Sequence, residues 1–314
     1  MIKKILILLL IVIALILSLV WLLNTEIVQA LGIKMRTSFY GEPISEDGMI
    51  NNDFFEIKSD GTNPIETRRG LSNAIKYANQ NNIEYIKLEK GTYLVNCYSN
   101  ESVVLQSNIV LDLNGSIIKQ NIVHQKRYNV ITIHNVENVK VMNGKIEGDK
   151  ERHTYTEENK SAEIGMGISI MGSKNVEITN LEIYNTTGDG IYICESLKGM
   201  TDGVKITNCN IHHSRRQGMS IITANNVLFE NNQIHDIVGI DPQSGIDIER
   251  NTEEQTSDNI HIINNLFYNI EHNCILSFYG ITNLHIKENT FYGKNNIKDK
   301  NEETYFIEDN EFLE

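Results

Sequence analysis

The sequence predicts an all-β fold, a single parallel β-helix in which short strands coil and stack rung upon rung. Three observations predict it. One phrase returns as GISI (167–170), GIYI (190–193), GMSI (218–221), GIDI (245–248) and CILS (274–277), at intervals of 23, 28, 27 and 29 residues. A period of this size marks a repeat architecture. Each phrase is followed by a second apolar pair: NVEI (175–178), GVKI (203–206), NVLF (226–229), NIHI (259–262) and NLHI (283–286). Seven residues after the first apolar residue of each pair stands another, Ile183, Ile211, Ile234, Phe267 and Phe291. Apolar alternation with period 2 in runs this short specifies strands. The third observation is asparagine. Asn180, Asn208, Asn231 and Asn264 share one register, and Asn232, Asn265 and Asn289 share the next. Asparagine tolerates the left-handed backbone of a sharp corner, and stacked amides bond from rung to rung.

From the N-terminus, Met1-Ile2-Lys3-Lys4 precedes an apolar run of 19 residues, Ile5 to Leu23. That length spans a bilayer as a helix. The two lysines place residues 1–4 in the cytoplasm and the remainder outside. A signal peptide cleaved after Val28-Gln29-Ala30 is the rival, although the run is long for one. The expected localisation is therefore export, either membrane-anchored at the cell surface or secreted. Residues 24–52 read as a stalk, with one short packed segment near Ile27–Met35. The β-helix is expected over 53–314, a length that a solenoid reaches by adding rungs rather than by enlarging one core. The net charge of -13 argues against nucleic acid or an anionic membrane surface as partner. Only three prolines interrupt the chain. The four cysteines, Cys97, Cys194, Cys209 and Cys274, fall at different rung positions and read as buried thiols; none has zinc spacing.

Residues 54–95 form the entrance to the coil. Asp60-Gly61 makes a turn, Thr62 or Asn63 caps a helix and Pro64 opens it. Ile65, Leu71, Ala74, Ile75 and Ala78 give that helix one apolar face, which would cover the open first rung. Strands follow at Tyr85–Leu88 and Thr92–Val95. Residues 103–147 supply further rungs, and TYFIEDNEFL (304–313) supplies a last strand pair. Residues 149–163 are polar and aperiodic, a loop that either walls a groove or is a solvated insertion.

This order of strand, DGT, amphipathic helix, strand and GTY resembles the entrance of the pectate-lyase-like right-handed β-helix superfamily. That superfamily holds polygalacturonases, pectate lyases, tailspike glycosidases and mannuronan epimerases. The resemblance covers about forty residues at the entrance, and the coil agrees in type over 103–291. It implies a right-handed coil and a polysaccharide ligand. The polygalacturonase DD pair and GHG are absent, as is the epimerase DPHE; Asp241-Pro242-Gln243-Ser244 only begins like it. Lyases of the superfamily use Arg or Lys as base with calcium on acidic residues. Arg215 or Arg216 with Asp189 or Asp241 matches that pattern in residue type.

The site expectation comes from strand alternation. In GIDIE, Ile246 and Ile248 turn inward, so Asp247 and Glu249 turn outward on one face, ~6.6 Å apart. One rung back the same face carries Ser220, preceded by Arg215-Arg216-Gln217; two rungs back it carries Tyr192, preceded by Asp189. Asp241 and His213 lead into these turns. Paired carboxylates suit glycosidic cleavage, and arginines hold sugar carboxylates or hydroxyls. The expected catalytic set is Asp247, Glu249 and Asp189, with Arg215, Arg216, Tyr192, Gln217, Asp241 and His213 holding substrate. Taken one by one, these residues also read as salt bridges and turn formers. His134, His235, His261 and His285 read as ordinary positions. The leading activity is glycoside hydrolysis of a polysaccharide. A polyuronate lyase or epimerase, with calcium as its cofactor, and a non-catalytic glycan-binding surface protein are the alternatives.

Overall fold

In the computed structural model, residues 28, 30–122, 127–156, 164–293, 296–299 and 305–314 are described. The chain divides into two compact units, Met1–Pro43 and Ile44–Glu314. The apolar run 5–23 lies outside the described residues. No helix among the described residues is long and apolar enough to cross a membrane. In the first unit, residues 30–40 are helical. Residues 44–52, expected in the stalk, belong to the coil unit instead. Ile50 is fully buried, and Met49 bridges in parallel to Lys87 of the first rung. The boundary was missed because this segment contributes single bridges rather than an alternating strand.

A four-residue helix, Asn52–Phe55, is capped by the Asn51 side chain, which accepts from the Phe54 N–H at 3.1 Å. The entrance helix follows at Pro64–Gln80. Proline suits its first turn, where the N–H would have no helical partner. Leu71, Ala74, Ile75 and Ala78 are buried, and the helix packs on the strands Thr92–Val95 and Val103–Val104. Ile65 departs from the expected face and stays 40 % exposed. Asn63 stands at the cap position in left-handed conformation and makes no side-chain cap. The first strand ends at Lys87 rather than Leu88.

The coil is built from an eight-stranded and a sixteen-stranded sheet, and all strand pairs are parallel. The recurring phrase forms the eight-stranded sheet. Its inward residues stack as Ile168, Ile191, Met219, Ile246 and Ile275, and as Ile170, Ile193, Ile221 and Ile248. The phrase's glycine has a steric reason. A Cβ on Gly167, Gly190, Gly218 or Gly245 would lie 2.5–2.6 Å from the carbonyl oxygen of the next rung. Cys274 occupies that place on a later rung and is buried as a thiol, like the other three cysteines.

Each second apolar pair and its third apolar residue build the sixteen-stranded sheet. In the early rungs one long strand bends through both limbs, as in Lys174–Tyr184. Later rungs break at the corner into two strands, as in Ala224–Glu230 and Gln233–Ile237. The corner residues Asn180, Asn208, Asn231 and Asn264 all have φ between 53° and 58°. The inner ladder is continuous. Asn232 donates to Asn265, Asn265 to Asn289 and Asn289 to Asn310, each at 3.0 Å. Cys209 stands at its head and joins through its backbone N–H, which donates to Asn232 at 2.8 Å. The segments Tyr305–Glu308 and Glu311–Leu313 stack on Ile281–Lys287 and Thr290–Tyr292 as the last rung.

Candidate active site

The outward column of the eight-stranded sheet runs Thr132, Ser169, Tyr192, Ser220, Asp247 and Leu276. Alternation thus places Asp247, Ser220 and Tyr192 as expected. The turns that feed these strands bring Asp189, Arg216 and Gln217 to the same column.

These residues form one network. The Arg216 guanidinium meets both oxygens of Asp189 at 3.3 Å and lies 3.7 Å from Glu249. Its Nη1 also donates to the Gln217 side-chain oxygen. The Gln217 amide nitrogen donates to Asp247 Oδ2. Ser220 Oγ reaches Asp189 Oδ2 at 2.6 Å and also the Gln217 oxygen; its single proton serves one of them at a time. Asp189, Gln217 and Ser220 are fully buried, and Asp247 is 1 % exposed. Asp247 Oδ1 is buried without a hydrogen-bond partner.

Burial sets the electrostatics. It pushes the Asp247 carboxyl up to about 7, with the charge of Glu249 adding and Arg216 opposing. Burial likewise raises Asp189 to about 6, against the pull of Arg216 and Ser220. Tyr192 is raised above the ordinary phenol range, first by burial. Burial opposes the charge on Arg216, but Asp189, Glu249 and Asp247 outweigh it and hold the guanidinium charged.

The network borders a cleft of about 380 Å³ whose walls include Asn129, Ser169, Tyr192, Arg216, Glu249 and Asn251. A larger hollow of about 520 Å³ lies by Tyr268, Tyr292 and Glu314 near the last rungs. None of its lining residues belongs to the network, whereas Tyr192, Arg216 and Glu249 line the smaller cleft, so the chemistry belongs there.

Several expectations change. Asp247 and Glu249 share a face but are unequal. Asp247 is sealed under its neighbours, whereas Glu249, at the strand end, keeps 28 % of its side chain exposed and lines the cleft. Arg215 turns to the loop at 149–156, where its guanidinium lies 4.2 Å over the Tyr155 ring. That loop is tied to the coil at its start, where buried Asp149 accepts from Thr187 at 2.7 Å and pairs with His153 at 2.9 Å, while Thr154, Tyr155 and Thr156 are exposed. Residues 157–163 of the expected loop lie outside the described residues. Asp241 does not join the cluster. Its side chain is 80 % exposed and meets Gln243 at 3.0 Å and His272 at 3.6 Å. His213 stands at a corner of the other sheet, against His212. Alternation orders residues within strands, but Arg215, Asp241 and His213 lie in turns, where it has no force.

Calcium does not fit the acidic residues expected to bind it. Both Asp189 oxygens face a guanidinium, and Asp241 is on a separate, exposed turn. Ser220, Ser169 and Asn129 were absent from the expected site set. The signal for Ser169 was present in GISI, one period before Tyr192.

A family profile described as a right handed beta helix region matches residues 74–252 and 164–312, together 74–312. The SPbeta prophage-derived uncharacterized protein YorA of Bacillus subtilis is 30 % identical over 223 residues, 64 % of this chain and 38 % of that protein. A second Bacillus subtilis relative, the uncharacterized protein YclG, is 26 % identical over 259 residues, 74 % of this chain and 44 % of that one. The chain therefore spans about two fifths of the length of these curated relatives. Among solved structures, the A-module of the mannuronan C-5 epimerase AlgE4 from Azotobacter vinelandii superposes with a TM-score of 0.55 at 15 % identity, covering 83 % of this chain and 75 % of that one. Tailspike gp49 of Acinetobacter baumannii bacteriophage Fri1, a capsular polysaccharide depolymerase, gives 0.55 at 14 % identity, covering 86 % and 63 %. At these identities the structures share the fold alone. The stacked phrases, the asparagine corners and the profile match over most of the chain agree that this protein belongs to the right-handed β-helix family.

Proposed function

We propose that this protein is an exported enzyme that cleaves a polysaccharide by glycoside hydrolysis at the Tyr192–Arg216–Glu249 cleft. The observation that carries the reading is a pair of neighbouring carboxyls in unequal surroundings. Asp247 is buried and raised to about 7, and Glu249 opens to the cleft beside Arg216. Environments that separate two carboxyls assign one as acid and one as base or nucleophile. Asp247 Oδ2 accepts from Gln217, so the transferable proton sits on Oδ1. In cleavage the bond between the anomeric carbon and the glycosidic oxygen breaks, and that oxygen takes the Asp247 proton; because Oδ1 is covered and Asp247 does not line the cleft, this transfer requires substrate binding to shift the side chains over it. A water adds to the anomeric carbon and loses its proton to Glu249. Tyr192 and Arg216 position the sugar, and Ser220 and Gln217 orient the carboxyls. The shared fold with proteins named as a polysaccharide depolymerase and a mannuronan epimerase supports a glycan as substrate. Export rests on the apolar run 5–23.

The test is incubation of the full chain with neutral and uronic polysaccharides. New reducing ends without the ultraviolet absorbance of an unsaturated uronate support hydrolysis. That absorbance replaces hydrolysis by elimination, and retention on the glycan without product replaces both by simple binding. Protease protection of the protein in cells tests export.

A further inference from the structure

A second cluster lies on the sixteen-stranded sheet. On the outer face of its second limb, the rings of Tyr184, His212, His235 and Tyr268 stack on four successive rungs. The next residue on each rung is a left-handed corner: Asn185, His213, Asp236 and Asn269, with φ of 55°, 55°, 54° and 51°. Two rungs thus replace the usual corner asparagine with histidine and aspartate. Both types tolerate this backbone, and both ligate metals.

The side chains converge. His213 Nδ1 lies 2.7 Å from His212 Nδ1 and 3.9 Å from Asp236 Oδ2, and His235 Nδ1 lies 2.6 Å from the same oxygen. One ring nitrogen from each histidine falls within 4.8 Å of the other two. The far ring nitrogens determine the tautomers. His212 Nε2 faces the Glu182 carboxylate at 3.2 Å, and His235 Nε2 faces Asn210 Oδ1 at 2.9 Å. Both partners are acceptors, so both Nε2 atoms donate and the two Nδ1 atoms face the cluster. There His235 Nδ1 meets a carboxylate oxygen, and His212 Nδ1 meets another imidazole nitrogen. An Nδ1 proton on His213 satisfies the second contact and a proton on His235 the first, and a metal ion at the centre satisfies both at once. Three protonated rings in contact would repel one another. A neutral imidazole is the metal-binding form.

We propose that His212, His213, His235 and Asp236 bind one divalent first-row transition metal ion of the zinc class. Three imidazole nitrogens and one carboxylate oxygen make a tetrahedral set of the kind zinc takes. Ligand nitrogens on a tetrahedral ion with bonds of ~2.1 Å stand ~3.4 Å apart, so the His212–His213 pair opens by less than 1 Å. Glu182 and Asn210 supply the outer hydrogen bonds that fix metal-ligating rings, and Asn269 donates to Asp236 Oδ1 at 3.2 Å. A hollow of about 400 Å³ lined by His213, Asp236, Asn269 and Glu271 gives the ion its route of entry. This site stands on a different sheet from the carboxyl cleft and does not depend on the proposed hydrolysis.

The test uses the full chain without a polyhistidine tag, stripped with chelator and titrated with Co²⁺ in visible absorbance and with Zn²⁺ in competition. One equivalent should bind, with the ligand-field bands of a tetrahedral centre. His213→Asn and Asp236→Asn keep a residue that the neighbouring corners already use, so the fold is retained. Each should weaken Zn²⁺ binding by at least about tenfold. No saturable binding, or unchanged affinity in His213→Asn, would overturn the proposal.

Discussion

Asp247→Asn separates a catalytic proton donor from a structural carboxyl. The substitution is isosteric, and its amide oxygen still accepts from Gln217. What it removes is a buried acid whose pKa stands at about 7 against 3.8 for the free side chain. The sign follows from linkage. As pH rises above ~4 the unfolded chain releases this proton while the folded chain keeps it, so the wild-type protein loses stability until pH passes ~7. The difference of roughly three units corresponds to on the order of 4 kcal/mol. The asparagine variant lacks this penalty. It should match wild type near pH 4 and be the more stable protein at pH 8, where each 1 kcal/mol is worth about 2–4 °C in Tm. Cleavage should nevertheless fall by about 10²–10⁴ through loss of the acid. The assays are thermal melts between pH 4 and pH 8 and reducing-end release from the responsive polysaccharide. A variant that keeps full activity refutes the assignment of the acid. A variant less stable than wild type at pH 8 refutes the electrostatic account of the site.

Arg216→Gln removes the charge that lowers Asp189 and Asp247, so both should hold their protons to higher pH. The alkaline limb of the rate profile should move up by about one unit while kcat/KM drops; an unmoved limb would count against the coupling. EDTA should leave the cleavage rate unchanged, because Arg216 takes the place a calcium ion would need at Asp189, and a calcium-restorable loss would contradict this. Asn265→Ala deprives the Asn232 N–H and the Phe229 carbonyl of their partner and should cost about 3 kcal/mol or more in urea unfolding. Gly218→Ala forces a methyl to 2.6 Å from the Gly245 carbonyl, so it should lower Tm sharply, and a neutral result would show that the rungs can part.

The interval of the repeated phrase and the period-2 alternation determined the coil. They work because a β-helix rung meets only its neighbours, so the same local pattern must recur wherever the chain passes the same face. Ile168, Ile191 and Ile246 stack as read, the register of Asn180, Asn208, Asn231 and Asn264 falls at the corners because left-handed backbone is a local demand, and the register of Asn232, Asn265 and Asn289 forms the amide ladder. Alternation also found the column of Tyr192, Ser220 and Asp247. Depth was decided by the tertiary structure. Outward on a strand is not exposed: Asp247 is sealed beneath its neighbours, while Glu249 gains the cleft by standing just past the strand end. The turns were also decided there. Arg215 and Arg216 are adjacent in sequence, yet one lies over Tyr155 and the other grips Asp189. His235 reads as ordinary and His213 as a substrate residue in the sequence, because the convergence of His212, His213 and His235 depends on which corner stacks on which, a register fixed by the lengths of the loops between rungs rather than by any local pattern.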